Sequence, residues 1–185
     1  KELDLFIDRL EYIIEQIATG RAKRVEEIKI VPPKEYDKMV YEFNDTYIEY
    51  PREKCIHELF VERAAKTPEQ IGLVFQDQKF TYRQLDEMSN SLAHFLREKG
   101  IGPGDVVPII AKRSWHVIVA MLGVLKGGGA YMPVDPNYPE DRINYMLETA
   151  GSRLVLMYGW QGRLSVEAIK LDEFGFWDNI TAVKN

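Results

Sequence analysis

The run Leu125-Lys126-Gly127-Gly128-Gly129-Ala130-Tyr131-Met132-Pro133-Val134-Asp135-Pro136 decides how this chain is read. It lies where a nearly all-apolar helix stops and a short strand begins. Three consecutive glycines suggest a phosphate cradle, but a cradle needs a strand, then the glycines, then a helix whose free N–H groups face the anion. Here the helix comes first. Gly127 falls where a helix C-terminus wants a residue with φ > 0, and Ala130 to Val134 reads as a short buried strand.

Working outward, the same alternation repeats. Gly102-Pro103-Gly104-Asp105 turns the chain into an apolar strand from Val106 to Ile110, and Ser114 is placed to cap a helix running to Lys126. Val117, Ile118, Ala120, Met121, Val124 and Leu125 go most of the way round that helix, which predicts a central, covered position. Downstream, Pro139 fits the first position of another helix, with Ile143, Met146, Leu147 and Ala150 inward and Gly151 after its end. Arg153 to Tyr158 is one more apolar strand, and Val166 to Leu171 a further short one. Strands alternating with helices predict the α/β class, with a mostly parallel sheet and right-handed crossovers. From Asp172 to Asn185 no period is clear, although Phe174, Phe176 and Trp177 lie there.

Upstream, Ile56, Leu59, Phe60 and Ala64 line a short helix that Thr67-Pro68 ends. Ile71 to Phe75 and Lys79 to Thr81 read as a hairpin turning at Asp77-Gln78. Thr81 stands three residues before Gln84, the spacing at which each side chain satisfies the other's backbone donor at a helix start. Leu85, Met88, Leu92, Phe95 and Leu96 form the buried stripe of that helix, and Gly100 lies past its end. The chain opens with an amphipathic helix from Leu3 to Ile17, stopped at Gly20 and followed by a short apolar stretch from Ile28 to Val31. Pro32 and Pro33 break regular structure, and 32–52 mixes charge and aromatics as a packed linker does.

Two of these stretches carry a family resemblance. Leu125, Lys126, Gly127, Gly129, Ala130, Tyr131, Pro133 and Asp135, continued by Tyr138, Pro139 and Arg142, resemble the second core motif of non-ribosomal peptide synthetase adenylation domains. Phe80, Thr81, Tyr82, Gln84 and Leu85 resemble the first, at the family's distance upstream. The resemblance implies the opening portion of an adenylate-forming N-terminal subdomain over 54–185, ending ahead of the phosphate-binding loop. Phe43-Asn44, Thr46 and Tyr50-Pro51 are similar to a linker, so the resemblance also implies the end of a condensation domain at 1–31, a final helix and a short strand over 28–31, and an interdomain linker at 32–53. The implied parent activates an amino acid as its adenylate with ATP and magnesium, then loads a phosphopantetheine on a carrier domain. The family's phosphate loop, ribose-binding aspartate and catalytic lysine have no matching positions, so the chain by itself is expected to hold no cofactor or metal and to be inactive. Two alternatives stay open: another adenylate-forming ligase acting on acyl or aryl acids, and a non-catalytic α/β interaction module.

Composition sets outer limits. The 185 residues suffice for one real core, and a net charge of −5 gives no electrostatic reason to expect nucleic acid or an anionic membrane. Cys55 is the single cysteine, so there is no intrachain disulfide or multi-cysteine zinc site, and it reads as ordinary packing. No signal-peptide core or membrane-spanning run is present, and a cytoplasmic setting is expected. His57, His94 and His116 share no metal-ligand spacing and read as packing or surface residues. Glu140-Asp141 suit a helix start, and Lys112-Arg113 are either a solvated turn or a phosphate contact. Asp135 is either a ligand at a strand's carboxyl end or a local cap. An exposed flank where the rest of a domain belongs predicts self-association.

Overall fold

The computed structural model describes residues 2–173 and 175–182. Its contacts divide the chain between Pro51 and Arg52 into two units. The first is built on α1 (Glu2–Ala18), whose apolar residues Leu3, Phe6, Leu10, Ile14 and Ile17 are exposed. Gly20 ends the helix at φ 67°. The short strand expected over 28–31 does not form, because among the described residues no neighbouring strand offers it a ladder. Lys29 instead bonds the Gln16 side-chain amide through its N–H at 3.0 Å and its carbonyl at 2.8 Å. Pro33, expected to break regular structure, begins the helix α2 (Pro33–Asp37), where the first-turn N–H it lacks would have no intrahelical acceptor. A π-type turn over Lys38–Glu42 follows it. Arg9 pairs with Glu35, tying α2 to α1 and holding the carboxyl below its usual range.

The second unit holds α3 (Ile56–Lys66), β1 (Ile71–Phe75), β2 (Gln78–Thr81), α4 (Tyr82–Glu98), β3 (Val106–Ala111), α5 (Trp115–Gly127), β4 (Ala130–Val134), α6 (Glu140–Thr149), β5 (Leu154–Tyr158), β6 (Glu167–Lys170) and α7 (Phe176–Ala182). β1 and β2 form an antiparallel pair whose turn is Gln76-Asp77, one residue earlier than expected. Gln76 takes φ 52° there, which leaves Gln78 free to pair with Phe75. The other four strands form a parallel sheet in the order β4-β3-β5-β6.

Side-chain alternation splits this sheet into two cores. Val107, Ile109, Leu154, Leu156 and Ile169 point to one face, where Leu92 and Leu96 of α4 and Ala120 and Val124 of α5 meet them. Ile110, Val134, Val155 and Met157 point to the other, against Ile143 and Leu147 of α6. Both faces are covered, as an all-parallel sheet requires. Each fully buried Leu or Ile contributes about 1.5–3 kcal/mol over an exposed one, so this pattern dominates the fold.

Four further expectations need correcting. β4 is an edge strand in which only Val134 is buried, because β3 is its one neighbour among the described residues. Ile118 is 38% exposed, so α5 is not covered all round. Pro139 sits just before α6 rather than inside it; the helix starts at Glu140. The stretch without a readable period contains α7, whose Phe176 and Trp177 pack on the first core. Phe174 and 183–185 fall outside the described residues.

Candidate functional site

The first motif stretch is a strand end followed by a helix cap. Thr81 Oγ1 accepts from the Gln84 N–H at 3.2 Å, and Gln84 Oε1 accepts from the Thr81 N–H at 2.9 Å. Phe80 lies 5.0 Å from the Trp115 ring, and Tyr82 lies 5.8 Å from Phe60. Leu85 is buried in the core. Every one of these side chains is engaged in local structure.

The glycines turn α5 into β4 one residue later than the sequence suggests. Gly127 is the last helical residue, and Gly128 takes the left-handed conformation at φ 96°. The Gly128 N–H donates to the Leu125 carbonyl and the Gly129 N–H to the Val124 carbonyl, both at 3.1 Å, a Schellman closure. Gly129 is also a close approach: a Cβ there would stand 3.1 Å from Ile101 Cγ2 and 3.3 Å from the Asp105 carbonyl. The Ala130 N–H donates to that same carbonyl at 2.8 Å. These three donors are all used internally, so this stretch does not fit a phosphate group, and no step of phosphate chemistry is assigned to it.

Lys126 shows what else the motif does. Its side chain is 6% exposed, and its Nζ donates to Asp86 Oδ1 at 2.6 Å, Ser89 Oγ at 2.8 Å and Asn90 Oδ1 at 2.9 Å. The same ammonium sits 5.3 Å from the Phe60 ring centre. From α4, Arg97 donates in return to the Lys126 and Gly127 carbonyls at the end of α5. A desolvated cation is tolerated only when paired and hydrogen-bonded in this way. The two motif segments are thus joined as α4 and α5 are locked together. Sequence reasoning missed Asp86, Ser89 and Asn90; their signal is a polar set at helical spacing beside the apolar stripe of α4.

The remaining motif residues stay near the surface. Tyr131 and Tyr138 are exposed, Pro133 pairs with Ile109 on the edge strand, and Arg142 is exposed in the first turn of α6. Asp135 makes an Asx turn, its Oδ1 accepting from the Asn137 N–H and Nδ2 at 2.9 Å. Cys55 is exposed rather than packed, at the start of α3, where Glu58 accepts from its N–H at 2.7 Å.

A crevice of about 490 Å³ lies beyond the carboxyl ends of the parallel strands. Lys112 follows β3, Asn137 follows β4, Trp160 and Gln161 follow β5, and Lys170 and Asp172 close it from β6. The chain leaves β3 toward β4 and leaves β5 toward β6, so the crevice sits where strand order diverges, the place open α/β sheets offer to ligands. Asn144 clamps the loop after β5, donating to the Arg163 carbonyl at 3.2 Å and accepting from the Ser165 N–H at 3.0 Å.

His116 is stacked between Trp115 at 3.6 Å and Tyr158 at 4.1 Å. Burial pushes its imidazole down to about 4, opposed by the nearby Asp172 carboxylate. His116 Nδ1 and Ser114 Oγ are buried without a hydrogen-bond partner, so Ser114 occupies the cap position without making the expected cap bond. Among the described residues no group of three or more His, Cys, Asp or Glu is placed to hold a metal ion. No helix there is long and apolar enough to cross a membrane.

A parallel sheet with helices on both faces, and motifs spent on its turns and caps, define the class: the chain belongs to the AMP-binding enzyme family, whose profile matches residues 60–175. Within that family it is similar to the N-terminal portion of non-ribosomal peptide synthetase adenylation domains. Bacitracin synthase 1 of Bacillus licheniformis is 45% identical over 144 residues, covering 78% of this chain and 3% of that protein. The N-terminal subdomain of Klebsiella oxytoca NpsA, in complex with 3-hydroxybenzoyl-AMSN, superposes with a TM-score of 0.59 at 27% identity, covering 70% of this chain and 31% of that one. The non-ribosomal peptide synthetase FmoA3 in its alpha-methyl-L-serine-AMP bound form gives 0.64 at 28% identity, over 74% of this chain and 16% of that one. The chain spans 2% to 6% of the length of the synthase proteins it first matches.

Proposed function

We propose that this chain is the opening part of an amino-acid-activating adenylation domain, and that its parent synthetase forms an aminoacyl adenylate. The parent reaction is attack of the amino-acid carboxylate on the α-phosphate of ATP with magnesium, releasing pyrophosphate. Transfer to the phosphopantetheine thiol of a carrier domain follows. The observation that carries this reading is the family match over residues 60–175, together with a relative in its alpha-methyl-L-serine-AMP bound form. Residues 1–31 are read as the end of a condensation domain and 32–53 as its linker, supported by the exposed apolar side of α1, which suits a larger neighbour. A cytoplasmic setting accompanies this reading.

In this proposal the chain scaffolds and does not catalyse. The glycine donors are consumed by backbone carbonyls and Asp135 by its own Asx turn, so neither serves a nucleotide. The test is amino-acid-dependent ATP–pyrophosphate exchange, run on this chain and on a longer protein from the same gene. Exchange in the longer protein alone supports the proposal; exchange in this chain by itself overturns it. A second reading, activation of an aryl acid, is favoured by the 3-hydroxybenzoyl-AMSN complex of NpsA. A panel of amino and aryl acids in the same exchange assay separates the two. Self-association of the isolated chain belongs to the proposal as well, and a clean monomer in light scattering would remove it.

A further inference from the structure

We draw no further inference here: the strongest candidate, the crevice beyond the carboxyl ends of β3, β5 and β6 beside Trp160, belongs to the site already described, and its exposed Lys112 and Lys170 share it with Asp172 without a buried polar group to select a ligand.

Discussion

Replacing Lys126 with methionine tests the clasp between α4 and α5 directly. Methionine keeps most of the volume of the lysine stem and removes the ammonium, so the loss reports the charge and its hydrogen bonds rather than a cavity. Removing one partner of a buried ion pair costs about 3–5 kcal/mol, because the other charge is left behind. Here the stranded carboxylate of Asp86 is 26% exposed and water reaches it, while Ser89 keeps its 2.7 Å bond to the Leu85 carbonyl. Asn90 Oδ1 loses its Lys126 donor. These features place the expected cost at the low end, about 3 kcal/mol. For a unit of this size that is a fall in melting temperature of roughly 10 °C. The assay is thermal and urea denaturation followed by circular dichroism. A second variant, Lys126→Met with Asp86→Leu, removes both charges and recovers part of the loss, since a buried pair replaced by apolar groups is close to neutral. A Lys126→Met protein that melts with its parent would refute the clasp.

Other outcomes follow from single contacts. Thr81→Ala removes one half of the reciprocal cap on α4 and lowers stability by about 0.5–2 kcal/mol; nucleotide affinity of the longer enzyme stays unchanged, and an unchanged melt with altered affinity would reverse the assignment. Gly123→Ala drives a methyl to within 2.8 Å of Leu92 Cδ2 and about 3 Å of its Cβ, so α4 and α5 must separate at a cost of about 1–3 kcal/mol in denaturant titration. Acid weakens the fold in two stages. His116 is held at about 4 against an ordinary 6.5, so between those values the unfolded chain binds the extra proton and stability falls as pH drops. Asp105, held below the usual carboxylate range by the Gly102 N–H and by Arg153, adds a later loss as pH falls through its folded value. His116→Phe removes the first stage and leaves the second, read from urea midpoints across the acid range; a variant with the same pH profile as the parent would show that burial of the imidazole is not the cause.

The chain's local signals were strong where one segment carried the whole cause. The Thr81 and Gln84 spacing specified its cap, the periodicity of Leu85, Leu92 and Leu96 specified a buried helix face, and the alternation of strands with helices specified the class of sheet. The reading of the glycines as a helix stop also survived, displaced by one residue, because a Schellman closure depends on which carbonyls remain free and not on the count of glycines. By contrast, three consequential features had causes distributed across distant segments. β4 became an edge because the chain crossed from β4 past β3 to β5, a choice of strand order that no single segment encodes. α7 has too little period to announce itself; it is held by Phe176 against Phe95 at 5.8 Å and by the Trp177 Nε1 bond to the Leu171 carbonyl at 2.8 Å. The apolar residues 28–31 lacked a strand to pair with, and the Gln16 side chain took that role.

What the sequence by itself determined about this protein is therefore the class of fold, because turns, caps and periodic stripes act over a few residues, while the family rested on the resemblance of its two motif stretches. Only the tertiary structure decided the role of Lys126. A lysine after an apolar helix and before three glycines carries no local sign of what surrounds its ammonium. Its desolvation is set by α4, which lies 36 to 40 residues earlier in the chain and brings Asp86, Ser89 and Asn90 around the ammonium. Charge in a low-dielectric interior is governed by what surrounds it, and the surroundings are assembled only by folding.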